Sequence, residues 1–325
     1  MATLNNIQAI NHTLEQQMEK DPTIVVYGED VGFEGGVFRA TAGLQKKFGE
    51  KRCFDTPVSE AAIVGVGVGM AINGLKPVAE IQFSGFMLPA FNQIVAHVAR
   101  MRNRSRGRYS VPMVIRMPYG GGIRALEHHS ESQEAFFGHI PGLKVVIPST
   151  PYDTKGLLTA AIHDPDPVIF MEPKRIYRAF KQEVPEEEYI VPIGKAKVVK
   201  EGTDITVVAW GAMVREVQKA ISELEKEDIS VELIDLRTIS PIDKDTIIES
   251  VKKTGRFLVV HEAVKSFGPG AELIAIVNEK AFLYLEAPPT RLTAFDVIVP
   301  LDKGEHHYLI DQKRISYYIK KLINY

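Results

Sequence analysis

Short apolar runs rich in β-branched residues alternate with helical patterns along almost the whole sequence, and that alternation limits the fold more than any other feature. Leu4, Ile7, Ile10, Leu14 and Met18 recur at helical spacing after Thr3, which reads as the N-cap. Asp21-Pro22 stops this helix, and residues 23–27 follow as a strand ending at Gly28-Glu29-Asp30. The rhythm continues with a strand over 78–82, a helix over 89–101, strands over 113–116 and 144–148, a helix over 154–163 and a strand over 168–172. Strands that read as continuous apolar runs between helices specify a parallel sheet covered on both faces.

The pattern breaks between Lys181 and Thr203, where Pro185, Glu186-Glu187-Glu188, Pro192 and Gly194 make a polar, turn-rich connector. Beyond it the alternation restarts, with strands over 205–209, 231–234, 257–261 and 290–294. Helices are expected over 214–226, 244–253, 271–282 and 314–322. The expected division is a first α/β domain over 1–183, a linker over 184–203 and a smaller α/β domain over 204–325.

With 325 residues, 45% hydrophobic, the chain has enough apolar sequence for two cores. A formal net charge of -2 leaves no footprint for nucleic acid, and the arginines from Arg100 to Arg108 read as the polar end of a helix. Cys53 is the only cysteine, which excludes an internal disulfide and a cysteine-based zinc site. Its place at a strand start predicts a small buried hydrophobe. Asn5, Asn6, Gln8, His12 and Glu15 interrupt the N-terminal stretch, so no signal peptide is expected. The most apolar run, 61–72, is too short and glycine-rich to span a bilayer, and the expected compartment is cytoplasmic.

Gly65-Val66-Gly67-Val68-Gly69 lacks the spacing of a dinucleotide fingerprint, because Met70 stands where the third glycine belongs. Gly65 and Gly69, four apart on a helix, instead predict close approach of another helix, including one from another subunit. That packing would offset about 1 kcal/mol of helix propensity at each glycine. There is no G-x-x-x-x-G-K-[ST] loop, and the G-D-G start of a magnesium–diphosphate site is also absent.

Three loops meet the expected carboxyl edge of the first sheet, where open α/β folds bind ligands. In the first, a strand ends at Phe54-Asp55, Pro57 turns the chain, and Glu60 sits at the mouth of an apolar helix that Gly74 stops. Alone, that glutamate would only favour a helix N-terminus, by about 0.3–1 kcal/mol. The second loop is Glu80-Ile81-Gln82-Phe83-Ser84-Gly85-Phe86. The third, Pro118-Tyr119-Gly120-Gly121-Gly122-Ile123-Arg124, can bring backbone close to a ligand and leads into Glu127-His128-His129-Ser130-Glu131-Ser132. Adjacent histidines serve one metal ion poorly, so a histidine here suits proton transfer or the holding of an anionic substrate.

Several long motifs, in order, resemble the β subunit of the thiamine diphosphate-dependent 2-oxoacid dehydrogenase (decarboxylating) component. They are Tyr27-Gly28-Glu29-Asp30-Val31, Gly35-Gly36-Val37-Phe38-Arg39-Ala40-Thr41, Asp55-Thr56-Pro57-Val58-Ser59-Glu60, Glu80-Ile81-Gln82-Phe83, Pro141-Gly142-Leu143-Lys144-Val145-Val146 and Asp235-Leu236-Arg237-Thr238. Pyruvate and branched-chain 2-oxoacid dehydrogenases and acetoin dehydrogenase make up that family. The resemblance implies an N-terminal parallel-sheet pyrimidine-binding domain and a smaller C-terminal transketolase-type α/β domain. It also implies an α2β2 assembly with thiamine diphosphate between subunits, the α subunit holding the diphosphate and Mg2+. The missing G-D-G agrees with that division.

By position in the resemblance, Glu60 hydrogen-bonds the aminopyrimidine and favours its imino tautomer, whose neighbouring nitrogen takes the thiazolium proton. Low-dielectric burial would keep that carboxyl available for proton sharing. Phe86 matches the aromatic packed on the pyrimidine, with Glu29 and Gln82 nearby, and His129 matches the histidine assisting acyl transfer to a lipoyl group. A potassium ion is implied too, held by the carbonyls of Met113, Ala161, Ile162 and Asp164 and by Asp166.

The loops 118–124 and 172–178 look most like branched-chain members, so branched-chain 2-oxoacids are expected ahead of pyruvate. One position departs: branched-chain members usually carry a histidine where Glu127 stands. The tail, 296–325, departs from the family's proline- and aromatic-rich pattern, at the end where the lipoyl acyltransferase core docks in the family. Rival readings are an acetoin dehydrogenase β subunit, a self-sufficient transketolase-type enzyme, and a catalytically silent interaction subunit in which Glu60 merely caps a helix.

Overall fold

A computed structural model describes residues 1–325. Every residue of β1 (Ile24–Gly28) is buried, as a strand covered on both faces requires. The first sheet adds β2 (Cys53–Asp55), β3 (Lys76–Glu80), β4 (Val114–Tyr119), β5 (Lys144–Val146) and β6 (Val168–Pro173). Their spatial order is β5-β6-β4-β3-β1-β2, and each neighbouring pair is parallel. All six strands therefore end at one edge. A seventh strand, Thr238–Ser240, comes from the C-terminal half and runs antiparallel beside β5. Cys53 is fully buried, and burial pushes its thiol up to about 12.

The helices of this domain include α1 (Asn6–Lys20), α2 (Glu60–Ile72) and α3 (Pro151–His163). The cap of α1 is Asn5 rather than the expected Thr3. Asn5 Oδ1 accepts from the Gln8 N–H at 2.9 Å, and Gln8 Oε1 accepts from the Asn5 N–H at 3.0 Å. Thr3 is instead occupied in a short strand, Ala2–Leu4, paired antiparallel with Gln182–Val184. The single helix expected over 89–101 is broken. A tight turn over Ser84–Ala90 and one α turn over Phe91–Gln93 lead into a wide turn, Ile94–Val98, and then a last helical turn, Met101–Arg104. Pro89 offers no N–H within the first of these, and the Ala99 N–H reaches back five residues to the Ile94 carbonyl at 2.9 Å.

Within α2 the glycine that packing requires is Gly67, where a Cβ would strike the Tyr27 hydroxyl and the Met113 side chain. Gly65 meets only Gln93, at 3.6 Å, and Gly69 meets nothing within 4 Å. The close approach expected at those two is not made inside this chain.

The second sheet holds β7 (Lys197–Lys200), β8 (Ile205–Ala209), β9 (Val231–Asp235), β10 (Phe257–His261) and β11 (Thr290–Thr293). Its order is β11-β10-β8-β9-β7, parallel except for β7, which lies within the segment expected as linker. Helices α4 (Ala212–Leu224), α5 (Lys244–Thr254), α6 (Pro269–Ala281), α7 (Asp302–Tyr308) and α8 (Gln312–Ile323) complete the smaller domain. One apolar cluster runs from Tyr27 and Ile115 through Ile147 to Trp210, Leu236 and Phe257, so the two sheets share a core. No helix is long and apolar enough to cross a membrane.

Candidate active site

The carboxyl edge of the first sheet gathers Glu29 after β1, Glu60 after β2, Gln82 and Phe86 after β3 and His129 on the loop after β4. Parallel pairing puts Gly28 beside Asp55 and Glu80, which is why residues remote in sequence meet. Gly28 has a φ of +152°, and a Cβ there would meet the Glu80 carbonyl at 2.5 Å. The chain can therefore turn sharply and carry Glu29 inward. Asp55 then pins the following loop, accepting from the Gly32 N–H at 2.6 Å and the Phe33 N–H at 3.0 Å.

Glu29 is buried and its Oε1 has no hydrogen-bond partner. Burial raises its carboxyl above the usual range, and the charges of Glu60 and Asp30 raise it further. Glu60 is the first residue of α2 and is half-buried in this chain. The low-dielectric setting expected around it needs a further surface, and within the chain desolvation falls on Glu29. Gln82 donates from Nε2 to Asp30 Oδ2 at 2.8 Å, which orients its amide along the edge.

Beneath these groups lies a buried ion network. Arg116, fully buried in the middle of β4, donates from Nε to Glu172 Oε1 at 2.7 Å and from Nη2 to Glu172 Oε2 at 3.1 Å. It also donates from Nη1 to Glu80 Oε2 at 2.8 Å. The Tyr177 hydroxyl adds a 2.5 Å bond to Glu172 Oε2. Burial raises the Glu80 carboxyl, and the charge of Arg116 opposes that shift. A buried guanidinium serving two carboxylates from neighbouring strands fixes β3, β4 and β6 against one another.

Phe83, Phe86 and His129 form an aromatic cluster, with the His129 ring 4.3 Å from Phe83 and 5.1 Å from Phe86, both edge-on. A Cβ at Gly85 would collide with the His128 carbonyl, so the turn bearing Phe86 packs directly on the histidine segment. His129 Nδ1 is buried without a partner. Burial first, then the neighbouring charges of His128 and Lys174, lower its pKa below 6.5, so the imidazole is neutral at pH 7. His128 faces Glu127 at 3.5 Å.

The residues expected to hold potassium lie elsewhere, at the amino edge of the same sheet. Met113 precedes β4, and Ala161, Ile162, Asp164 and Asp166 span the passage from α3 to β6. The Met113 carbonyl accepts from the Val168 N–H at 3.0 Å, and the Ala161 carbonyl from the Asp164 N–H at 3.3 Å. Lys144 Nζ sits 2.6 Å from both Asp164 oxygens, and Arg102 Nε 2.5 Å from Asp166 Oδ1. No group of three or more histidine, cysteine, aspartate or glutamate side chains is arranged to hold a metal ion.

Sequence reasoning missed Arg116, Lys174, Glu134, Glu262 and Glu305. Arg116 carried a signal, because an arginine inside an otherwise apolar strand demands buried partners. Lys174 is 4% exposed, and burial pushes its amine down to about 7. Glu134 and Glu262 are likewise buried and pushed up to about 7. These groups come from both domains, and only the folded chain brings them together.

Residues 2–179 match the pyrimidine-binding domain of transketolase, and residues 194–315 match the transketolase C-terminal domain. The chain is 69% identical over 322 residues to a protein of Acholeplasma laidlawii named pyruvate dehydrogenase E1 component subunit beta, covering 99% of this chain and 98% of that one. A Bacillus subtilis protein of the same name is 50% identical over 325 residues, covering 100% of both chains. A solved split-gene transketolase, described as an inactive beta4 tetramer, superposes with a TM-score of 0.81 at 21% identity over 99% of both chains, a likeness of fold. The motifs at the carboxyl edge, the two domain matches and the full-length relatives lead to one assignment. The chain belongs to the β-subunit family of the thiamine diphosphate-dependent 2-oxoacid dehydrogenase component.

Proposed function

We propose that this chain is the β subunit of a pyruvate-decarboxylating enzyme and acts when an α subunit closes thiamine diphosphate against its open sheet edge. The observation carrying this reading is the pair Glu29 and Glu60. Two carboxyl groups from neighbouring strand ends lie close enough for the charge of Glu60 to raise Glu29, and a buried Glu29 oxygen lacks a partner. Such a pair fits an aminopyrimidine, which needs an acid at its ring nitrogen and polar company beside it.

In this reading Glu60 shares its proton with the ring nitrogen, helped by its place at the start of α2. Glu29 and Gln82 orient the polar rim, and Phe86 offers an apolar face. When bound, thiamine diphosphate supplies the electron sink that lets a 2-oxoacid lose carbon dioxide. His129, neutral at pH 7, is placed to take a proton as the acyl group passes to a lipoyl arm of an acyltransferase core. The α subunit of an α2β2 assembly would hold the diphosphate and Mg2+, for which this chain has no motif.

Pyruvate replaces the branched-chain expectation because the full-length relatives are named for pyruvate, at 50–69% identity. The earlier expectation rested on two short loops, and Glu127 already departed from it. We further propose a potassium ion at the amino edge. The Met113 and Ala161 carbonyls each keep a lone pair beyond their single bonds, and Asp166 keeps Oδ2 beyond Arg102. A higher Tm in potassium than in sodium buffer is expected, and equal values would count against the ion.

The test is co-expression with the α subunit and assay of a panel of 2-oxoacids. Pyruvate should be the best substrate, and Glu60→Gln should abolish decarboxylation while leaving the assembly intact. Activity on no 2-oxoacid, or a wild-type rate in Glu60→Gln, rejects the reading. His129→Ala should retain decarboxylation with an artificial electron acceptor and lose lipoyl acylation.

A further inference from the structure

The loop that carries His129 is held from the C-terminal domain. Its neck closes where the Gly120 N–H donates to the Glu131 carbonyl at 3.0 Å, and Ser84 Oγ donates to the same carbonyl at 3.2 Å. Glu262, directly after β10, lies so close to Gly120 that a Cβ there would collide with its carboxylate, and Ser132 Oγ stands 3.4 Å from Glu262 Oε1. Gly120 has a φ of +82°, so glycine is required there twice over. Farther along the loop, Glu305 of α7 reaches in from the tail. Its Oε1 accepts from the Gly122 N–H at 2.7 Å and its Oε2 from the Arg124 N–H at 3.1 Å. Glu305 is itself buried.

Lys174, directly after β6, is buried and its Nζ makes no hydrogen bond; burial lowers its pKa, and the charges of Glu262 and Glu305 oppose that shift. The same Nζ lies 5.6 Å from the centre of the Phe83 ring, whose edge contact with His129 is described above. Its neighbour Arg175 packs its side chain against Gly122, where a Cβ would meet Arg175 Cδ at 2.9 Å, and reaches Glu216 at 3.3 Å and the Ile310 carbonyl at 3.4 Å. Lysine, phenylalanine and histidine thus form one packed series under the loop that Glu305 grips.

We propose that Glu305 is a positioning residue for His129: the C-terminal tail grips the glycine loop by its backbone and so sets where the imidazole stands. Its consequence for acyl transfer rests on the role of His129 proposed above. Glu305 touches no reacting atom. It acts through two backbone N–H groups that water or a weaker acceptor would hold less firmly.

Two measurements test this with Glu305→Ala and Glu305→Gln. On the full chain alone, amide hydrogen exchange at Gly122 and Arg124 should accelerate about 10-fold or more in Glu305→Ala, with β4 and β6 unchanged. Glu305→Gln, which keeps one carbonyl oxygen, should fall between. Unchanged exchange at both amides in Glu305→Ala overturns the grip. In the assembly with the α subunit, the ratio of lipoyl acylation to artificial-acceptor decarboxylation should fall about 10-fold in Glu305→Ala and recover in part in Glu305→Gln. An unaltered ratio overturns the positioning role. A wild-type assembly without decarboxylation would instead defeat the proposed function, while the exchange measurement still decides the grip.

Discussion

The two sheets are built alike, yet their carboxyl edges have opposite fates. Around the first edge Glu60, Gln82, Phe86 and His129 are all only partly buried. At the second, the residues following or closing the strands are buried: Trp210 after β8, Asp235 and Arg237 at β9, His261 and Glu262 at β10. Trp210 Nε1 donates to Glu134 Oε1 at 3.2 Å, and Arg237 pairs with Asp153 of α3. The Ile147 N–H adds a bond to the Arg237 carbonyl at 2.8 Å. Strand ends of an open α/β sheet are a ligand site by default. Here the groups ending the first sheet stay partly open, while Trp210, Asp235, Arg237 and Glu262 of its twin are turned to the contact that joins the domains.

If the open edge depends on the rigid layer beneath it, the largest effect belongs to Arg116. Arg116→Met leaves Glu80 and Glu172 buried without their cation and should destabilise the chain by about 3–5 kcal/mol in urea titration. A loss under 1 kcal/mol would show that the edge does not need that layer.

The closed edge should reveal itself through pH. Glu134 has a folded-state pKa of about 7, above its ordinary 4.5. A raised carboxyl contributes stability that is present at low pH and lost as pH rises from 4.5 through 7. Glutamine keeps an oxygen for the Trp210 N–H and does not titrate. Glu134→Gln should therefore gain on wild type across that window, reaching about 2–3 kcal/mol at pH 8. A pH-independent difference would break the argument. Trp210→Phe, which deprives Glu134 of that donor and trims the ring stacked on His261, should destabilise by about 1–2 kcal/mol. The smallest effect is expected at the open edge, where Glu60→Gln in the chain alone should change stability by less than about 1 kcal/mol. A large loss there would make Glu60 a structural residue and erase the contrast.

Much of the first edge was legible, because its residues follow strands in the same register of sequence: Glu29 after one apolar run, Glu60 and Gln82 after the next two. Alternation of apolar runs and helices carries that information locally. The cap of α1 was misread at Thr3, since a threonine engaged in strand pairing with Glu183 cannot also end a helix. Gly65 and Gly69 drew attention by spacing, but Gly67 is the one facing Tyr27 and Met113, and helix phase relative to the sheet decides that. Asp235-Leu236-Arg237-Thr238 was visible as a motif, while its use as a cross-domain staple was not.

By itself the sequence determined the two α/β units, the parallel sheets and the set of polar residues at the first edge, since strand and helix periods are local properties of the chain. Only tertiary structure decided which sheet edge stays open, that Thr238–Ser240 joins the first sheet, and that Glu305 of α7 holds the Gly122 and Arg124 amides of the loop before His129. Those outcomes depend on residues more than a hundred positions apart sharing one desolvated space. Burial of charge is energetically decided by what surrounds it in three dimensions, and no local pattern records that.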